Sequence, residues 1–117
     1  MIELEHVTKR YGASVVVEDL SLAIAAGEFC VIIGTSGAGK STALKMINRL
    51  ASPSEGYVRV DGEDVSRLPP AALRRRIGYV FQTIGLFPHW TVARNIGAVP
   101  ELMGWSKARI RARAAEL

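Results

Sequence analysis

The chain has 117 residues, which allows one compact domain and leaves little room for two. A hydrophobic share of 49% against 22% charged residues is the balance of a folded globular protein and excludes a disordered, highly charged chain. Net charge is +4, with the excess concentrated in Arg74-Arg75-Arg76 and along Lys107 to Arg113. That could suit nucleic acid or an anionic membrane surface, or simply a solvated helix face. The arginines have no aromatic residues interleaved for stacking on bases, so no nucleic-acid partner is expected.

Read in order, Met1-Ile2-Glu3-Leu4-Glu5 alternates and is acidic, unlike the basic and then apolar opening of a signal peptide. It predicts a half-buried strand, with Tyr11 to Ser14 as a turn and Val15 to Ile24 as a second extended stretch broken by Ala26-Gly27. Phe29-Cys30-Val31-Ile32-Ile33 is apolar throughout and β-branched, the pattern of a parallel strand covered on both faces. Cys30 is then expected as a small buried hydrophobe. One cysteine cannot form an internal disulfide, which fits a reducing compartment.

A glycine-rich loop follows, then a helix predicted over Ser41–Leu50 with Ala43, Met46, Ile47 and Leu50 on one face. Tyr57 to Val60 reads as a strand entering a tight turn at Asp61-Gly62. Pro69-Pro70 opens a short helix carrying the arginine triplet. Ile77 to Phe81 is expected as another buried strand, and Gln82 to Trp90 as a loop. Thr91 caps a helix that Pro100 should kink or stop, and Ser106 caps a last one. No apolar run approaches the roughly 20 residues that a membrane-crossing helix requires.

The loop Gly34-Thr35-Ser36-Gly37-Ala38-Gly39-Lys40-Ser41 fits the pattern G-x-x-x-x-G-K-[ST]. Glycines let the backbone close around phosphate oxygens with its N–H groups turned inward, and the helix that follows aims its positive end at the same anion. Lys40 supplies a mobile point charge for the outer phosphates, and Ser41 a hydroxyl for Mg²⁺. Gly34 through Thr42 are therefore the candidate nucleotide-binding residues, with Lys40 also a candidate catalytic residue. The pattern alone leaves open kinases, GTPases, motor ATPases and transporter ATPases.

The run Ile77-Gly78-Tyr79-Val80-Phe81-Gln82, followed by Leu86-Phe87-Pro88-His89, resembles the Q-loop region of ABC transporter ATPases. Lys9-Arg10-Tyr11-Gly12 resembles that family's aromatic loop, and Val58 to Gly62 its antiparallel hairpin. Lys45 to Leu50, Ile84 to His89 and Met103-Gly104-Trp105 resemble the branch that imports glycine betaine, carnitine and choline.

The resemblance implies an α/β P-loop NTPase half-domain spanning residues 1–117: an antiparallel layer, the start of the parallel core sheet and part of a helical subdomain. It implies that Tyr11 stacks on the adenine of ATP. Gln82 would touch Mg²⁺ or the attacking water, as a catalytic and metal-site residue beside Ser41. The partners implied are a membrane permease, docked on the Gln82–Trp90 region, and a second ATPase subunit as a homodimer. The implied location is cytoplasmic, on the inner face of the plasma membrane.

Thr35, Ala38 and Arg94 depart from common family residues. Arg94 places a cation in a helix's first turn, against the macrodipole. Val15 to Asp19 ends in two carboxylates, but it precedes the loop and belongs by order to the antiparallel layer. The family's signature sequence, its aspartate–glutamate pair and its histidine do not follow Gln82. The segment is thus expected to hold nucleotide weakly and hardly turn it over. A non-catalytic nucleotide-binding remnant and a P-loop small-molecule kinase are the alternatives.

Overall fold

The computed structural model describes residues 1–83 and 85–117; Ile84, which opens one of the runs singled out above, lies outside the described residues. The chain forms two compact units, Met1–Ile77 and Gly78–Leu117.

The first unit is built on an antiparallel sheet in the order β2-β1-β3-β4, from β1 (Ile2–Tyr11), β2 (Ser14–Ile24), β3 (Glu55–Val60) and β4 (Glu63–Asp64). Helix α1 (Lys40–Ile47), a 3-10 turn (Val65–Arg67) and helix α2 (Pro70–Arg76) complete it. Leu4, Val7, Val17, Met46, Val58 and Leu73 lie in one buried cluster.

A simple period of two would put Leu4 and Val7 on opposite faces, yet both are buried. The register explains this. Leu4 pairs with Leu22 and Val7 with Leu20, so β1 carries one extra residue, and Lys9 pairs with Val17, so β2 gains one in return. His6 (φ 49°) and Asp19 (φ 44°) are left-handed there, as bulge residues can be. His6 Nδ1 and Asp19 Oδ1 lie 2.7 Å apart, a partnership that sequence spacing did not reveal for His6. The Asp61-Gly62 turn has both residues at positive φ (52° and 80°), as the sequence pattern required.

α1 begins one residue earlier than expected and ends three residues sooner, at Ile47. Arg49 turns left-handed (φ 55°), which leaves Leu50 outside the helix and half-exposed. The carbonyls freed at this end are satisfied from α2. Arg74 Nε donates to Asn48 O (3.1 Å) and Nη2 to Arg49 O (2.6 Å). Arg76 donates to Glu63 (2.6 Å) and Asp61 (3.3 Å). The arginine triplet is therefore not merely a solvated face: two of its members fasten α2 to neighbouring elements.

Two expectations are corrected. Phe29–Ile33 and Ile77–Phe81 join no ladder among the described residues, and most of their large apolar side chains are exposed, Phe29 at 91%, Ile33 at 87% and Val80 at 95%, while Ile77 and Tyr79 are half-buried. Cys30 is likewise exposed, not buried. Uniformly apolar runs are suited to a sheet interior with cover on both faces. Among the described residues no strand lies beside these to supply it.

The second unit contains α3 (Val92–Leu102) and α4 (Lys107–Glu116). Thr91 Oγ1 accepts from Arg94 N and Ser106 Oγ from Arg109 N, both at 3.3 Å, so each expected cap forms. Pro100 lies inside α3, which stops two residues later. Gly97 lets the helices approach closely: a Cβ there would come within 2.9 Å of Ile110 Cγ2. No helix of the described residues is long and apolar enough to cross a membrane.

Candidate nucleotide site

The loop from Gly34 to Lys40 belongs to the first unit and is propped against β2. Gly37 (φ 82°) and Gly39 (φ 79°) are left-handed, a region that side chains rarely adopt. At Gly39 space forbids a side chain as well. A Cβ would fall 2.4 Å from the carbonyl oxygen of Val16 and 2.8 Å from Val17 Cγ2. Ala38 N donates to Thr35 O (3.2 Å) and Ala43 N to Gly39 O (2.8 Å), which tightens the loop into the start of α1.

Gly39 is the N-cap of α1, and no side chain caps the helix and no acid stands in its first turn. The first-turn amides and the positive helix end therefore face a small cavity. Its lining is Val16 and residues Gly37 to Thr42, and its volume is about 190 Å³. Lys40 Nζ donates to Gly34 O (2.8 Å) and Thr35 O (2.5 Å), which holds the ammonium over the loop that carries it. Ser36 and Ser41 are exposed and Thr42 is half-buried.

Tyr11 ends β1, paired with Ser14 at the head of the strand whose Val16 lines the cavity. Its ring is 52% exposed, with Lys9 Nζ 4.8 Å from the ring centroid. Gln82 belongs to the second unit, exposed in an irregular segment.

The structure thus brings Gly34 through Thr42 together, with Tyr11 on the adjoining hairpin. Sequence reasoning missed Val16, whose contribution is a backbone carbonyl that no residue type signals. Val15 to Asp19, with its two terminal carboxylates, is part of β2 in the antiparallel sheet, and Asp19 is engaged with His6.

A second set of residues shapes the Gln82–Trp90 region. Asn95 Oδ1 accepts from Phe87 N (2.8 Å), and its Nδ2 donates to Phe87 O (3.2 Å) and Thr91 O (3.1 Å). The Phe87 and Trp90 rings are 4.2 Å apart, and the Arg94 guanidinium lies 4.1 Å from the Trp90 centroid. Arg94 therefore gains a cation–π partner at the helix end where its charge is unfavourable. Leu86 (64%) and Phe87 (49%) are exposed, so the apolar cluster is presented to solvent rather than absorbed into a core. Asn95 was also missed. Its only signal is an amide four residues after a capping threonine.

A glycine loop with this backbone geometry, opening directly into a helix beside a β-layer, defines the α/β phosphate-loop NTPase class. The chain belongs to the ABC transporter family, whose pattern matches residues 17–117. It is 56% identical over its whole length to the glycine betaine uptake system ATP-binding protein YehX of Escherichia coli (strain K12). It is 50% identical to the glycine betaine/carnitine/choline transport ATP-binding protein OpuCA of Bacillus subtilis (strain 168). The chain spans 38% and 31% of the lengths of these two relatives.

Among solved structures it resembles two dimeric structures of the ABC transporter cassette MJ0796. One is a post-hydrolysis state bound to ADP and Pi (TM-score 0.84, 34% identity). The other has a TM-score of 0.86 and 35% identity. Each match covers 99% of this chain and 55% of the cassette.

Proposed function

We propose that this chain is the nucleotide-gripping part of the ATP-binding subunit of an ABC importer for quaternary amines such as glycine betaine. The observation that carries the reading is the seat of Gly39. A left-handed glycine, pressed against a carbonyl where no Cβ fits, turns the uncapped amides of α1 toward a cavity beside the Lys40 ammonium. Such an array of N–H donors and one cation is complementary to a polyphosphate.

In this reading the amides of residues 37–42 bind the phosphates and Lys40 leaves its two carbonyl partners for the outer ones. Tyr11 takes the adenine. Ser41 Oγ would ligate Mg²⁺, which neutralises phosphate charge when bound. The loop's side chains offer hydroxyls and an ammonium, none a general base at neutral pH, so the segment grips ATP without completing its hydrolysis.

The exposed Leu86–Trp90 cluster, held by Asn95, supports docking of a membrane permease. The domain's partners are then that permease and a second copy of the subunit, at the inner face of the plasma membrane. The solute assignment rests on the named relatives.

Titrating Mg·ATP into the parent chain and Lys40→Ala tests the grip. Affinity should fall by about tenfold or more in the variant, the loss of one charge-assisted contact. Equal affinity in the two would end the reading.

A further inference from the structure

Tyr11 is held from its own strand. Lys9 precedes it by two positions on β1, so both side chains leave the same face, and the Lys9 ammonium lies 4.8 Å from the ring centroid. Among the described residues that ammonium meets no carboxylate, whereas the neighbouring cation Arg10 is paired with Glu55. The backbone beneath is fixed on both sides. Lys9 pairs with Val17 of β2, Arg10 N donates to Ser54 Oγ (3.0 Å), and Ser54 N donates to Thr8 O (2.8 Å).

The register then passes over one residue of β2. Lys9 faces Val17 and Arg10 faces Val15, which leaves Val16 as the extra residue of a bulge. Val16 is also the residue whose carbonyl seats Gly39. One irregularity of the hairpin therefore places both the cation on the ring and the carbonyl that shapes the phosphate loop.

We infer that Lys9 is a positioning residue for the nucleobase. Its ammonium holds one face of the Tyr11 ring and leaves the opposite face for the flat base of a purine nucleotide. This rests on the adenine role proposed for Tyr11 and adds the group that keeps the ring in its stacking pose. A ring 52% exposed at a strand end samples several rotamers unless something fixes it. Freezing that freedom beforehand lowers what the base must offset on binding. A cation over an exposed ring biases its pose by about two- to fivefold. Lys9 is not among the residues that line the loop's cavity, where the cation is Lys40, so its action runs through the ring rather than through the phosphates.

Titration calorimetry of the 117-residue chain with Mg·ATP and with Mg·tripolyphosphate, which has the phosphates and no base, tests this. Physiological ionic strength screens general charge attraction. Lys9→Gln should weaken ATP by about two- to fivefold and leave tripolyphosphate unchanged. The unchanged tripolyphosphate affinity also shows that fold and loop are intact. Lys9→Arg keeps a cation that can lie on the ring and should retain the parent affinity for ATP. In a Tyr11→Ala chain, itself weakened for ATP alone, Lys9→Gln should change nothing further.

An equal loss of both ligands in Lys9→Gln would make Lys9 a phosphate contact, and tighter ATP binding would make it a competitor for the ring. Either result overturns the inference, as does an unchanged ATP affinity while Tyr11→Ala still weakens ATP. If Tyr11→Ala binds ATP as the parent does, the adenine reading itself falls and takes the inference with it. A parent that binds neither ligand would overturn the phosphate grip as well.

Discussion

Gly39 combines two constraints that usually occur apart: its φ of 79° is open almost only to glycine, and the place where a Cβ would stand is taken by the Val16 carbonyl. Gly37 shares the first constraint without the second, since nothing lies within 4 Å of a Cβ there. Gly39→Ala should therefore cost more stability than Gly37→Ala. The expected loss is about 1–3 kcal/mol from backbone strain alone, with displacement of the loop from β2 added to it. Urea unfolding of the two variants measures the difference, and an unchanged midpoint for Gly39→Ala would contradict the packing described.

His6 offers a separate test at the same scale. The hydrogen bond that the Asp19 carboxylate accepts from the ring, aided by its negative charge, raises the imidazole pKa above 6.5. A raised pKa in the folded chain means that the pair favours folding below pH 6.5 and that this contribution is lost as pH climbs through the folded value. Both groups are well exposed, so the effect on stability is screened. An NMR titration should give a His6 midpoint above 6.5 in the parent, and Asp19→Asn should bring it back toward 6.5.

Among the elements, the caps and turns were the parts most legible in the sequence. Thr91, Ser106, Asp61-Gly62 and Pro70 act locally, each through its own backbone or hydroxyl, so residue type and position suffice to place them. The glycine loop was legible for the same reason. The bulges at His6 and Asp19 were not, because they exist only through the pairing of β1 with β2. The end of α1 was misjudged because its carbonyls are satisfied by Arg74, which lies 26 residues from Asn48 in sequence.

The two uniformly apolar runs were misjudged for a related reason: a strand is made by its neighbour as much as by its own residues. One consequence is chemical. Cys30, exposed in the first of these runs, should react with a thiol reagent such as Ellman's reagent without denaturant. Full protection in the native chain would show that the run is covered.

Asn95 is the element-scale counterpart of Gly39, since it ties the Phe87–Thr91 backbone to the first turn of α3. Asn95→Ala removes several hydrogen bonds at once and should destabilise the second unit by about 1–3 kcal/mol. The matching fluorescence signal is loosening of the Trp90 environment. Thr91→Ala should cost about 1 kcal/mol as the loss of a cap.

For the molecule as a whole, the exposed residues Phe29, Val31, Ile33 and Val80 mark the dominant liability. Apolar backbone segments with unpaired N–H and C=O groups invite pairing with other chains. The isolated chain should bind an apolar dye such as ANS and self-associate in a concentration-dependent way, with a broad thermal transition. A soluble monomer with one sharp, cooperative melt would contradict this. A test by light scattering alongside calorimetry separates the two outcomes.

The contact between the loop and Val16 has a further consequence, for the order in which the site comes into being. β1 and β2 are joined by a short turn, so their hairpin closes with little loss of chain freedom and can form early. The loop, by contrast, has no ladder of its own to set its curvature and takes it from a carbonyl already fixed in that hairpin. The hairpin is thus a mould for the grip. Lesions outside the loop, such as a proline in β2 that disturbs the line of Val16, should weaken the nucleotide binding proposed for the loop while every residue of the loop remains unchanged.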